Sequence, residues 1–328
     1  MKKFMGHKWM LPACGIAGLM FLPLIAAGSN YLLLILITIG IYIIATSGLD
    51  ILFGYCGQMS LGHAAYYCIG AYVSALLSLR LHLPVFLCML IGGIMAAVIG
   101  AIIAYPAVKL SKHFLSLVTI GFGEIMYLFV ANAEQLTGGY SGINFIPRPA
   151  VGSFVFDTNF KYFYLVAVLV VAMLMLKQMF YHSKYGRAFI AIKENEEAAA
   201  GNGINVRMYK VFAFAISAFY TGIAGAVYAH LVKFISPDSF TINLSTMLLV
   251  MMLFGGAGQI AGPIIGSICI ALVSEALQSA GNYQMLVYGL FLLVVVLFLP
   301  QGVLGTYDWH GILKRFGKGN RHGKTSAN

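Results

Sequence analysis

Ten apolar runs, most of them about twenty residues long, follow one another through this 328-residue chain and leave few ways for it to fold. They lie near residues 9–28, 31–48, 63–81, 84–108, 113–133, 162–180, 209–231, 242–254, 261–279 and 284–300. A run of this length crosses a bilayer as a helix, because a backbone surrounded by lipid must satisfy its amides within the segment. Composition agrees. Apolar residues make up 60% of the chain and charged residues 9%, against about a quarter charged in a soluble domain, so there is too little charge to cover a water-facing surface. The reading is an all-α polytopic transmembrane bundle of about ten spans. The run 242–254 is short for a crossing and is expected either to break or to continue into Gly255–Gly258.

The basic residues orient the bundle. Ten spans put both termini and the loop after residue 180 on one side. Sixteen of the twenty Lys and Arg fall there, among them Lys109, Lys112, Lys177, Lys184, Arg187, Lys193, Arg207 and Lys210. Arg80, Arg148, Lys161 and Lys233 fall on the other. The richer side is cytoplasmic by the positive-inside rule, which places both termini in the cytoplasm. The net charge of +10 is therefore topological rather than gathered on a soluble module, and it argues against a nucleic-acid partner. A membrane domain over 1–305 is expected, with a cytoplasmic loop at 181–208 and a basic tail at 306–328. The first run is expected to be a retained span, since it is long for the apolar core of a signal peptide. Cys14, Cys56, Cys68, Cys88 and Cys269 sit in or beside apolar runs without metal or redox spacing, and read as small buried hydrophobes.

Polar residues at membrane depth mark candidate functional positions. Gly54, Gly57 and Gly62 bracket Gln58, Ser60 and His63. Either a broken helix lines a translocation path here, or small residues pack closely with polar side chains bonding across helices. Ser60 and His63 also raise an intramembrane hydrolase, but Gly57-Gln58-Met59-Ser60-Leu61-Gly62 is not the Gly-x-Ser-x-Gly nucleophile turn. Glu124 and Glu275 lie within apolar spans, where a carboxylate is costly unless paired or wet; each could meet a substrate ammonium or an internal partner, and the internal role is favoured for Glu275. Gly262 and Gly266, one helical turn apart, form a close-packing face. The inner loop is rich in helix formers from Ala188 to Ala200, and Gly201 or Gly203 can end that helix. It is either an amphipathic helix pressed into a groove on a cytoplasmic partner or a solvated loop. The chain has no Gly-x-x-x-x-Gly-Lys-Ser/Thr phosphate loop, no metal-ligand spacing and no cofactor motif.

Several of these stretches resemble a known family. Glu197-Ala198-Ala199 followed by Gly203 matches the EAA-x-x-x-G signature of ABC importer permeases. The stretch from Gly48 to Ala65, Phe122-Gly123-Glu124-Ile125, Leu136–Ile143, Ser236–Phe240, Gly255–Gly258 with Gly262-Pro263, and Pro300-Gln301-Gly302 are together similar to the LivM-type permease subunit of branched-chain amino acid importers. The resemblance spans roughly 40–305. It implies movement of leucine, isoleucine or valine across the bacterial inner membrane; Gln58, Ser60, His63 and Glu124, polar in apolar surroundings, are the candidates for the substrate path. Glu197, Ala198, Ala199 and Gly203 would couple the chain to an ATPase, and the loop after Gly255 is a further candidate contact. The implied partners are a second, LivH-type permease, two ATP-binding subunits and a periplasmic binding protein; the chain itself would be non-catalytic. A permease for urea or short amides is the alternative within the superfamily, and a membrane scaffold without a path is the alternative outside it. Asp50 departs from the pattern, which more often carries Asn there.

Overall fold

Lipid and neighbouring helices both favour a fully hydrogen-bonded backbone, and eight of the ten apolar runs are helical here. The computed structural model describes residues 29–110, 112–152 and 154–276, with five isolated positions beyond them. The run 9–28 and nearly all of 284–300 lie outside these residues, as do the termini. We label the helices α1 (Asn30–Asp50), α2 (His63–Arg80), α3 (Val85–Ala107), α4 (Lys112–Asn132), α5 (Asn159–His182), α6 (Lys184–Glu194), α7 (Glu196–Gly201), α8 (Val206–Val232), α9 (Ile242–Gly255) and α10 (Gly262–Ala276). A π-helical turn, Ile51–Tyr55, closes α1. A two-residue-per-strand hairpin, β1 (Ala150–Val151) with β2 (Phe154–Val155), precedes α5.

Six helical segments are long and apolar enough to cross a membrane: Asn30–Tyr55, Val85–Ala107, Phe114–Asn132, Asn159–His182, Val206–Val232 and Pro237–Gly255. The protein is thus an all-α helical membrane protein. The short run 242–254 gains length at its front, through a 3-10 turn at Pro237–Phe240, and not by continuing past Gly255. α2 falls outside the six because it is less apolar, carrying His63, Tyr66, Tyr67, Tyr72, Ser74, Ser78 and Arg80; most of these are buried against protein.

α8 is the central helix. It packs against α3, α2 and α1, and small residues set the spacing. A β-carbon on Gly70 would overlap the carbonyl oxygen of Gly222, and one on Gly225 would overlap that of Tyr67. The backbones of α2 and α8 therefore touch. Gly262 and Gly266 do the same between α10 and α9, where added β-carbons would overlap the carbonyls of Gly256 and Met251. Packing inside the bundle is the role these two glycines have here.

The two ends of the bundle are distinct. At one, Arg80 donates to the carbonyls of Gln135 and Leu136, and His230 bridges Ser74 Oγ at 2.8 Å and the Pro147 carbonyl at 2.6 Å. Arg148 ties the hairpin segment to the start of α5 through Asn159 at 3.0 Å. There too, Lys161 lies 2.7 Å from Asp157 and holds that exposed carboxyl below its ordinary pKa. The end of α5, the π-turn and the start of α8 meet α6 at the other end. Lys177 and Lys210, counted on the basic side although they lie inside the runs 162–180 and 209–231, are buried and ion-paired at that end, Lys177 with Asp50 and Lys210 with Glu196 at 2.6 Å.

Candidate functional site

The chain leaves helical geometry between α1 and α2. After the π-turn, residues 56–62 are irregular, and α2 starts only at His63. Its start lies deep in the bundle. His63 Nε2 is 2.8 Å from Ser217 Oγ, near the middle of α8, and the Ala64 amide donates to Ser245 Oγ of α9 at 2.8 Å. The Leu61 amide donates to Thr119 Oγ1 of α4 at 3.0 Å. Three hydroxyls from three spans thus bind the backbone or ring at the entry to α2. Irregular backbone at this depth is tolerated only inside protein or against a wet cavity. Gly62 permits the approach, since a β-carbon there would overlap the Thr119 carbonyl oxygen.

Of the residues expected along a path, Gln58, Ser60 and His63 are buried in this segment, with relative exposures of 2%, 2% and 0%. Gln58 Nε2 makes only a long bond of 3.4 Å to the Cys56 carbonyl. Ser60 Oγ accepts from the Gly62 amide at 3.4 Å. Glu124 differs: it stands on α4, twelve residues or about 18 Å along it, and is exposed. It borders a groove with Leu61, Ala64, Ile120, Tyr127 and Ser245. No hydrogen bond or ion pair to Glu124 is present among the described residues. The structure therefore brings Glu124 to the entry of α2 while Gln58, Ser60 and His63 sit behind that groove. Glu275 has an internal partner, the Tyr31 hydroxyl of α1.

The inner loop is two helices and not one. Ser183 caps α6 by accepting from the amides of Tyr185 and Gly186, and Asn195 breaks the helix with extended backbone and caps α7 by accepting from Ala198 at 3.0 Å. The expectation of a single helix over 188–200 is corrected by this break, because an Asn side chain that caps a new helix competes with continuing the old one. The two helices divide the work. α6 is strongly amphipathic and buries Ala188, Phe189 and Ile192, with Phe189 and Tyr185 against Tyr209 and Phe212 of α8. α7 buries only Ala199, and leaves Glu197, Ala198, Ala200 and Gly201 exposed. Gly203 follows with φ +80 and open space around it. Lys210–Glu196 anchors α7 to α8, a pairing that the emphasis on Glu197 in the sequence missed. Charge opposition fourteen residues apart across a turn was the available signal.

Sequence reading also missed the enclosed Asp50–Lys177 pair. Lys177 Nζ lies 2.7 Å from Asp50 Oδ2, with no exposure of either side chain. A lysine inside the apolar run 162–180 and an aspartate just past the run 31–48 were the signs of it.

These spans, the deep irregular segment and the helical loop after α5 define a polytopic α-helical membrane protein. The chain belongs to the family described as branched-chain amino acid transport system / permease component, whose profile matches residues 31–296. It is 34% identical over 287 residues to the high-affinity branched-chain amino acid transport system permease protein LivM of Escherichia coli (strain K12), covering 80% of this chain and 68% of that one. It is 28% identical over 288 residues to LivH of the same strain, covering 80% of this chain and 91% of that one. Among solved structures, PsaBC from Streptococcus pneumoniae in complex with Fab aligns with a TM-score of 0.44 and 18% identity, over 81% of this chain and 91% of that chain.

Proposed function

We propose that this LivM-type permease is one of two membrane subunits of an ATP-driven importer that carries leucine, isoleucine and valine across the bacterial inner membrane without altering them. Its partners in this reading are a LivH-type permease, two ATP-binding subunits that hydrolyse the nucleotide, and a periplasmic binding protein. The single observation that carries the path is Glu124. A carboxylate facing lipid at the middle of a span costs about 2.5–3.5 kcal/mol even on lenient scales. Glu124 is exposed on this chain and has no partner among its described residues, so its face of α4 belongs to water or to the second permease. The groove beside it is bordered by Leu61, Ile120, Phe240 and Ile242, and the carboxylate suits an ammonium. Gln58, Ser60 and His63 line or shape that path from behind the entry of α2.

Glu124→Ala and Glu124→Gln test it. A hydrogen bond to a charged group is worth about 1.5–3 kcal/mol, so leucine uptake in proteoliposomes is expected to fall about tenfold or more, at unchanged expression and unchanged retention of the ATPase. Wild-type uptake by both variants, at equal expression, makes Glu124 structural. Uptake of labelled leucine with no uptake of labelled urea separates amino-acid transport from amide transport.

The topology in this reading has ten spans and both termini cytoplasmic. Positions 150 and 195 flank α5, whose 24 residues reach across a bilayer. In a cysteine-free background, a cysteine at 195 is expected to react only from the cytoplasm and one at 150 only from outside. Labelling of both from one side breaks the arrangement.

A further inference from the structure

The Asp50–Lys177 pair is the only fully enclosed ion pair among the described residues, and it sits where three distant segments meet. Asp50 ends α1, and its second oxygen accepts from the Gly258 amide at 2.6 Å. Lys177 Nζ, from α5, also donates to the Gln259 carbonyl at 3.4 Å and lies 5.6 Å from the centre of the Tyr55 ring. Between them runs the π-turn 51–55. Gly54 of that turn lies directly against the aspartate: a β-carbon there would overlap Asp50 Oδ1. On its other side the Gly54 carbonyl accepts from Lys193 Nζ of α6 at 2.8 Å. The stem of Lys193 also covers Gly57, whose β-carbon position is 3.1 Å from Lys193 Cγ.

Stability alone does not account for such a pair. Enclosed charges recover in mutual attraction little more than they lose in hydration, and apolar replacements are often as stable. What an ion pair adds is a fixed register between the elements that hold it. π-turns inside helices occur often at functional sites, and this one leads directly into the irregular segment 56–62. Asn at position 50 would still accept from Gly258, but it would leave the Lys177 charge enclosed without a counter-charge.

We propose that Asp50 and Lys177 are positioning residues of the transport cycle: their pair clamps the π-turn to α5 and to the 256–259 loop, so that movement of α6, delivered through Lys193, is passed to segment 56–62. This rests on the reading of the α6–α7 loop as the contact with the ATPase. Without the clamp, a pull on Gly54 would be absorbed by local unwinding of five residues. With it, the turn moves as one body with its neighbours.

The test is the complete importer in proteoliposomes, with labelled leucine, isoleucine and valine. ATP hydrolysed per amino acid delivered is read beside the thermal stability of each purified complex. Asp50→Asn and Lys177→Met, made singly, should lower stability and raise that ratio about tenfold or more, as removal of one member of an enclosed pair exposes the other to the interior uncompensated. The double variant Asp50→Asn/Lys177→Met removes both charges; it should recover stability while the ratio stays high. Lys193→Met, at an exposed side chain, should raise the ratio with stability unchanged. Recovery of both properties in the double variant reduces the pair to charge balance and overturns the proposal, and so does a wild-type ratio in Lys193→Met. A wild-type complex that neither retains an ATPase nor spends ATP on uptake refutes the functional reading itself; a coupled wild type with indifferent variants refutes the clamp alone.

Discussion

Gly70→Leu is expected to destroy the bundle, while Gly121→Leu leaves it intact. Both glycines lie inside apolar helices of similar length, and the sequence gives no reason to rank them. The surroundings differ. At Gly70 an added β-carbon meets the Gly222 carbonyl oxygen and stands 2.6 Å from the Gly222 Cα, so relief requires moving the backbone of α8. That helix cannot yield freely, since Gly222 already lies 3.2 Å, from its own β-carbon position, to the Gly93 Cα of α3. Overpacking a well-filled interior costs about 1–3 kcal/mol where side chains can adjust, and a backbone collision exceeds that range. At Gly121 nothing lies within 4 Å. Fluorescence-detected size exclusion of the isolated chain after heating checks this. The Gly70 variant should lose its monodisperse peak or melt on the order of 10 °C lower, with the Gly121 variant at wild type. Equal stability would mean that α2 and α8 do not touch through these residues.

The length of the apolar runs was enough to find the eight long helices among the described residues, because in lipid a run of the right length has no alternative to a helix. It was poor at their ends, where capping and tertiary bonds decide. The run 242–254 was open to extension at its back, yet it grew at its front through Pro237–Phe240, since Gly256 takes φ +111 and turns the chain away. Residues 188–200 read as one helix by propensity alone; Asn195 splits them because its side chain serves the second helix better than the first. Polar residues at membrane depth pointed correctly to the α1–α2 connection as unusual. Their separate fates were not legible, since burial of His63 depends on Ser217, 154 positions away. Lys177 shows the same limit. Counted by charge it went to the basic side of the membrane, and only the packing of α1 beside α5 makes it the counter-ion of Asp50.

Gly203→Val is expected to release the ATPase or to leave hydrolysis running without uptake, while the membrane bundle still inserts. A side chain at 203 could act through a steric clash or through a demand on the backbone. The structure favours the second: nothing lies within 4 Å of a β-carbon at 203, but φ is +80. A residue with a β-carbon pays about 1–2 kcal/mol to adopt a left-handed conformation, and a β-branched one is a worse fit still. The turn has no cheap way to relax. The Gly203 amide closes α7 on the Ala200 carbonyl at 2.9 Å, and the Ile204 amide bonds the Ala199 carbonyl at 3.2 Å. A shift in φ at 203 therefore re-aims α7 relative to α8. Six residues of helix have almost no stability of their own, so the exposed face formed by Glu197, Ala198 and Ala200 depends on that turn for its direction. Gly203→Asn separates the causes, because Asn tolerates the left-handed region yet carries a β-carbon: it should keep most of the coupling that Val loses. Glu197→Ala, which removes an exposed carboxylate and leaves the backbone alone, should weaken ATPase retention less than Val at 203. Co-purification of the ATPase with transport in proteoliposomes reads all three. If Gly203→Val and Glu197→Ala both match wild type, α7 is an ordinary surface turn, and the force that drives this permease enters elsewhere.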